Sequence, residues 1–331
     1  MLEKPLSISR LLSGGLITNY YCSSRCRHCL YRCSPMWPKK YISVETAQVN
    51  LETVRELGCR AVHIGGGEPL LKPDGVTSVL EVANQVGVHI DYVETNSSWY
   101  RNHDLACAVL EELSDRGLST LLISISPFHN EHIPFYKVNG LITACRETGI
   151  SVFPWTSDFI PEISTFDDQR PHPIQEYQEL FGEDYLANLP SRYWISPGGR
   201  ALETFGRFAP QKSVAELVAT SSRGCAELTE VSHFHIDLFG NYVPGLCAGL
   251  SIRREDLGAP LKLDEYPIIS RLYSKGIGGL LAFAAEEYGF VASKSAYASK
   301  CELCYEVRRH LAVDTDVDSH ELQPLEHYLY G

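Results

Sequence analysis

The first half of the chain alternates short apolar runs with longer stretches in which apolar residues recur every three or four positions. Segments 15–21, 61–64, 89–96, 120–126 and 151–156 are of the first kind. Runs of this length, bounded by turn residues, predict buried strands. Between them lie helical patterns. Ser43 is placed to cap a helix running to about 57, with Val44, Ala47, Leu51, Val54 and Leu57 on one face and Gly58 as its stop. Further helices are predicted over 76–86, 104–116 and 135–148. Strands alternating with helices of about ten to fifteen residues are the mark of βαβ units. The predicted fold class is therefore α/β with a parallel sheet. Such units wind right-handed, and ligands gather at the carboxyl ends of their strands.

The rhythm blurs after 156, where Pro154, Pro161, Pro171 and Pro173 cluster. A helix over about 174–188 and a sixth strand over 192–195 are the expected continuation. Beyond 196 the pattern changes. Segments 232–238 and 241–243, joined by Phe239-Gly240, read as a hairpin. Helical stretches over 263–274 and 280–288 follow, then a short helix opened by Cys301-Glu-Leu-Cys304 and a polar, acidic tail expected to be loose. The expected organisation is a core over 1–196, a smaller cysteine-containing α+β extension over 197–315 and a tail over 316–331.

Charge and composition narrow the function. The formal charge of −12 argues against non-specific nucleic-acid binding and against an anionic membrane surface. There is no apolar run of the roughly eighteen residues that a spanning helix needs. Residues 1–12 lack a signal-peptide core and cleavage site, so a cytoplasmic location is expected. With no export signal, the eleven cysteines point to metal ligands rather than disulfides.

Their spacing sorts them. Cys22, Cys26 and Cys29 are spaced C-x3-C-x2-C and can converge on one soft metal centre, one ligand short of the usual four. Cys225, Cys247, Cys301 and Cys304 form a late set that can complete a four-thiolate site. Cys59, Cys107 and Cys145 fall in helical patterns or at their ends and suit a core, and Cys33 is either a bystander or a thiol on the substrate side. About forty residues after the first set stands Gly65-Gly66-Gly67-Glu68-Pro69, at the end of a predicted strand. A structural zinc knuckle, with His28 or Cys33 as fourth ligand, is the plainer reading of the first set, and a tight strand-to-helix turn is that of the glycines.

Together the two motifs resemble those of the radical S-adenosylmethionine (radical SAM) superfamily, with His28 where relatives carry an aromatic residue. The resemblance implies a partial (β/α)6 barrel. It also implies a [4Fe–4S] cluster on Cys22, Cys26 and Cys29, whose open iron binds S-adenosylmethionine. The backbone at Gly66, Gly67 and Glu68 would receive the methionine amine, with Asn96, Ser124 and Ser126 for its carboxylate and ribose and His28 beside the cofactor. Pro197-Gly-Gly-Arg200-Ala201 resembles the segment that leaves the barrel for a cysteine-rich extension. The late cysteines resemble the "twitch" extension (a shorter relative of SPASM), which implies a second, auxiliary [4Fe–4S] cluster. His129, Glu131 and His132, leaving the fourth strand, are candidates to orient substrate or move a proton. His63 reads as an inward core histidine, and His233 and His235 as alternative ligands near Cys225. The implied reaction is hydrogen abstraction from a small metabolite or peptide, with electrons from a flavodoxin- or ferredoxin-type donor. The alternative is a non-catalytic iron–sulfur or zinc protein.

Overall fold

The computed structural model describes residues 5–315, 317 and 319–330. Strands β1 (Gly14–Ile17), β2 (Ala61–Gly65), β3 (His89–Thr95), β4 (Thr120–Ser124) and β5 (Ser151–Trp155) lie side by side in parallel. Helices α1 (Val44–Glu56), α2 (Pro73–Val86), α3 (His103–Asp115), the single-turn α4 (Pro127–Asn130) and α5 (Phe135–Thr148) connect them. The sequence dictates these bounds locally. The Ser43 hydroxyl accepts a 3.1 Å bond from Thr46 N, supplying one orphan donor at the start of α1. Asn102 caps α3 through Leu105 N at 3.0 Å. Ala47, Leu51 and Val54 of α1 are fully buried, as are Leu16, Val62, Ile64, Val93 and Leu121 of the strands. Burying a side chain of the Val, Leu or Ile kind contributes about 1.5–3 kcal/mol, so this helix–sheet layer is what fixes the loops at the carboxyl ends. The fold is thus α/β around a parallel sheet.

Expectations of three kinds, on the strands, the helices and the tail, need correction. Residues 192–195 form no strand. Among the described residues the short β6 (Lys212–Ser213) pairs only with β10 (Ala296–Tyr297), in a separate antiparallel ladder. The free edge of β1 is taken instead by β7 (Phe234–Asp237), which runs parallel to it. β8 (Asn241–Val243) and β9 (Ile252–Arg253) continue antiparallel, giving one eight-stranded sheet in the order β5-β4-β3-β2-β1-β7-β8-β9. The reason is burial: Phe234 and Ile236 are fully buried, whereas Trp194 is 65% exposed. The hairpin expected to sit apart in the extension is therefore part of the main sheet.

The helix expected over 174–188 is two, Ile174–Phe181 and Tyr185–Asn188, parted at Gly182. Those over 263–274 and 280–288 belong to one span, Pro267–Tyr288, interrupted at Gly276. Third, the tail is docked rather than loose. The carboxylate of the buried Glu321 accepts from Ile268 N (3.0 Å) and Ile269 N (2.6 Å), the donors a helix start leaves unpaired. Leu322, His327 and Tyr328 are also buried. Residues 316, 318 and 331 of that tail lie outside the described residues. No helix among the described residues is long and apolar enough to cross a membrane.

Candidate active site

The loop carrying Cys22, Cys26 and Cys29 leaves the carboxyl end of β1 and is stitched to the turn after β2. Gly67 N donates to Asn19 O (2.7 Å) and Glu68 N to Tyr21 O (3.1 Å). Gly66 has φ +134°, and a Cβ there would stand 2.3 Å from Asn19 O, so only glycine lets the two segments close. Glu68 is fully buried, and its carboxylate accepts from Leu70 N (3.1 Å), Thr95 Oγ1 (2.9 Å) and Asn96 N (2.6 Å). Burial raises it to about 7. Its side chain is a staple between the glycine turn and the end of β3. Gly66 and Gly67 face the cavity; Glu68 does not.

That cavity, about 290 Å³, is lined by all three cysteines together with Gly66, Gly67, Asn96, Ser124, His28 and His129. Asn96 Nδ2 donates to Cys22 Sγ at 3.3 Å. Ser126 is not part of the lining; its hydroxyl bonds His129 Nδ1 at 2.7 Å. Of the three residues expected to serve substrate, only His129 faces this space. Glu131 is held by Arg27 at 2.8 Å and by Ile174 N at 3.2 Å. Glu131 and His132 line a different cavity of about 430 Å³, shared with Arg25, Arg27, Arg200 and Arg207. Its ion-pair partner Arg27, inside the cysteine motif and 104 residues away in sequence, turned that carboxylate outward, which no local pattern announces.

His28 packs 4.9 Å from Phe128 and 5.1 Å, edge-on, from His129. Burial lowers His28 to about 4 and His129 well below the ordinary range, so both are neutral at pH 7. His28 Nδ1 is buried without a hydrogen-bond partner. Burial pushes Cys22 up to about 12 and Cys26 up as well, while a hydrogen bond from Cys33 holds Cys29 below its usual range.

Arg200 closes the loop from behind. Its Nε donates to Cys26 O (2.8 Å), its Nη2 to Cys33 O (2.6 Å) and its backbone N to Cys29 O (3.1 Å). Nη1 is buried and unbonded, and among the described residues no carboxylate pairs with this guanidinium. A buried cation without an anion is costly. Three thiols, a cavity and a cation lacking its counter-charge fit an anionic iron–sulfur group. A bound metal also deprotonates coordinating thiols that burial would otherwise keep protonated.

The late cysteines meet as well. Cys225, Cys247, Cys301 and Cys304 line one cavity of about 230 Å³. Cys301 and Cys304 lie a helical turn apart on Lys300–Arg309, whose start is capped by Ser299 through Glu302 N at 3.2 Å. Burial raises Cys225 to about 12 and Cys301 to about 11. Arg308, buried here, donates from Nη1 to Ala248 O (3.0 Å), leaves Nε unbonded and has no carboxylate partner among the described residues. This donor set fits an anionic group on the same grounds as the first. Among the described residues, neither cysteine set forms a group with every donor atom within 4.8 Å of the others, the gathering that a single ion such as zinc requires.

Sequence reasoning left Glu94 out of the site. It faces the cavity from β3, on the same side as Asn96, and burial followed by the charge of Glu68 raises it to about 7. Its alternation with Asn96 was the available signal. Tyr31, Tyr92, His233 and His235 line the cavity too.

Residues 16–165 match the family model described as the radical SAM superfamily. Over 107 residues the chain is 32% identical to a GTP 3′,8-cyclase of Tolumonas auensis, covering 31% of this chain and 30% of that protein. The chain thus spans under a third of the curated relative it matches. Among solved structures, anSMEcpe with bound AdoMet and the Kp18Cys peptide aligns at 13% identity and a TM-score of 0.41, over 70% of this chain and 74% of that one. Streptococcus suis SuiB bound to the precursor peptide SuiA aligns at 12% identity and a TM-score of 0.34, over 96% and 76%. Members of the matched superfamily are enzymes that use a [4Fe–4S] cluster and S-adenosylmethionine. The segment that carries both the cysteine loop and the glycine turn is thus a radical SAM domain.

Proposed function

We propose that the chain uses S-adenosylmethionine, bound at a [4Fe–4S] cluster on Cys22, Cys26 and Cys29, to abstract hydrogen from a small metabolite or peptide held beside a second, auxiliary cluster. The cofactors supply the radical chemistry; the protein positions and shields it. One observation carries the two-cluster reading: Trp194, Ser196 and Leu246 border both the cysteine-loop cavity and the late-cysteine cavity. A substrate at this shared wall has one reactive centre on each side, as oxidation with removal of the substrate electron requires.

In this reading the backbone of Gly66 and Gly67 receives the methionine amine, and Asn96 and Ser124 bind its carboxylate and ribose. His28 supplies the ring beside the cofactor. Ser126 acts indirectly, by holding His129. Residues 197–315 serve as the unit bearing the late cysteines, although its hairpin completes the main sheet. The cavity outside the cysteine loop, with Arg25, Arg27 and Arg207, suits an acidic one-electron donor of the flavodoxin or ferredoxin kind.

The test is anaerobic reconstitution followed by reduction with dithionite and S-adenosylmethionine. Release of 5′-deoxyadenosine is expected, and its absence in iron-loaded protein overturns the reading in favour of an electron carrier. The Cys22→Ala/Cys26→Ala/Cys29→Ala variant is expected to keep about four irons. None remaining would remove the auxiliary cluster.

A further inference from the structure

Three imidazoles outside both cysteine sets meet over one glycine. His63 of β2 and His235 of β7 each pair in register with Gly15 of the strand between them. Gly15 has no side chain, and a Cβ there would stand 2.4 Å from His63 Nε2, so the two rings close across the middle strand. Their Nε2 atoms are 3.1 Å apart. His233 lies two residues before His235 and so on the same face of its strand. It stacks on His63 with centroids 5.4 Å apart and meets His235 edge-on at 5.0 Å. One ring nitrogen from each of the three lies within 4.8 Å of the other two.

Two further features set this cluster apart from histidines that merely fill a core. The buried rings are braced from outside: His235 Nδ1 bonds Tyr31 Oη at 2.8 Å, and the Gly14 backbone bonds the His63 ring. Bonds of this kind fix the orientation of metal-binding imidazoles. The β2–β3 register also shifts between Val62 and Ile64, at His63 itself, and such irregularities re-aim a side chain. The cluster opens onto space already described, because His233, His235 and Glu94 line the cysteine cavity. Glu94 Oε1 lies 3.8 Å from His63 Nε2.

We propose that His63, His233 and His235 bind one divalent transition-metal cation of the zinc class inside this cavity, with its remaining position open to an oxygen or nitrogen donor of the substrate. Three imidazoles with an open fourth position are the ligand set of catalytic rather than structural zinc sites. Imidazole also suits such cations better than calcium or magnesium. In the metal-free chain one proton bridges the two Nε2 atoms. On metal binding both Nε2 lone pairs turn to the cation, His235 carries its single proton on Nδ1, and Tyr31 Oη accepts from it. No proton is released and nothing is oxidised. The cation would anchor a carboxylate or hydroxyl of the substrate. The site does not depend on S-adenosylmethionine being cleaved.

The test uses protein whose cysteines are occupied by anaerobically reconstituted clusters, equilibrated with zinc and passed over a weak chelator. About one zinc per chain should remain, with K-edge absorption showing nitrogen or oxygen at about 2.0–2.1 Å and no sulfur near about 2.3 Å. His233→Ala removes an exposed ring and should not disturb folding. It and His235→Phe should each weaken zinc binding at least about tenfold at unchanged iron content, and Tyr31→Phe about tenfold through the lost brace. Zinc held by sulfur, or zinc equally retained by His233→Ala and His235→Phe, overturns the proposal, as does no retained zinc in the parent. Release of 5′-deoxyadenosine is scored separately, so loss of one result leaves the other standing.

Discussion

The two cysteine sets are built in opposite ways. Cys22, Cys26 and Cys29 sit on one short loop that is pinned by backbone bonds to the glycine turn of the next strand. Cys225, Cys247, Cys301 and Cys304 come from three separated places, a turn before β7, a turn after β8 and the helix Lys300–Arg309. Yet both sets share one device. A buried arginine with no carboxylate partner among the described residues bonds a carbonyl of, or next to, a cysteine and keeps one donor spare. The first site is preorganised by the sheet. The second closes loops tens of residues long, so it relies more on whatever the cysteines hold.

The strongest break of this comparison is by cysteine removal. Losing Cys22, Cys26 and Cys29 should reduce 5′-deoxyadenosine to the level without enzyme. Cys304→Ala should leave cleavage of S-adenosylmethionine within a few-fold of the parent while abolishing substrate turnover. If Cys304→Ala also stops cleavage in protein of unchanged first-cluster content, the division of labour is wrong.

Iron removal should separate the regions next. Hydrogen exchange on chelated protein should show protection lost first in Lys300–Arg309 and around Cys247, with α1 and β1–β4 unchanged. Uniform loss across the sheet would show that the cysteine loop, too, needs its metal to fold. A smaller, local effect comes from the arginines. Arg200→Gln should lower iron retention only at the first site, and Arg308→Gln only at the second, each read by the iron remaining in the matching cysteine-depleted background. Loss at both sites from either change would mean that these residues act through global stability.

What could be read without coordinates follows the same divide. α5 runs over the same residues that its periodicity predicts, because caps and apolar spacing act within one turn. The cysteine loop was legible for the same reason. The partner of β1 on its free edge was not, since Phe234–Asp237 is more than two hundred residues away in sequence and competes there with 192–195. Orientation was not legible where a side chain had a choice of partners: the Glu131 carboxylate is held by Arg27, away from the cysteine cavity. The histidine cluster needed strand register as well as residue type, because His63 and His235 meet only if both lie opposite Gly15.

The last distinction concerns the residue before Cys29. His28 has a folded value lowered to about 4 by burial, against an ordinary 6.5. Between those values the unfolded chain binds a proton that the folded chain excludes. The stability His28 lends is therefore fully present above pH 6.5 and is lost as pH falls through 6.5 towards 4, by about 3 kcal/mol in total. His28→Phe removes this term and the unbonded Nδ1 while keeping a ring against Phe128. Urea unfolding of parent and variant, carrying the same clusters, should then agree within about 1–3 kcal/mol at pH 7, in the variant's favour. The gap should widen as the solution is acidified to pH 4. Parallel pH profiles would mean that the ring reaches solvent or a proton acceptor on acidification. The histidine would then be a titrating part of the cavity rather than a neutral wall of it.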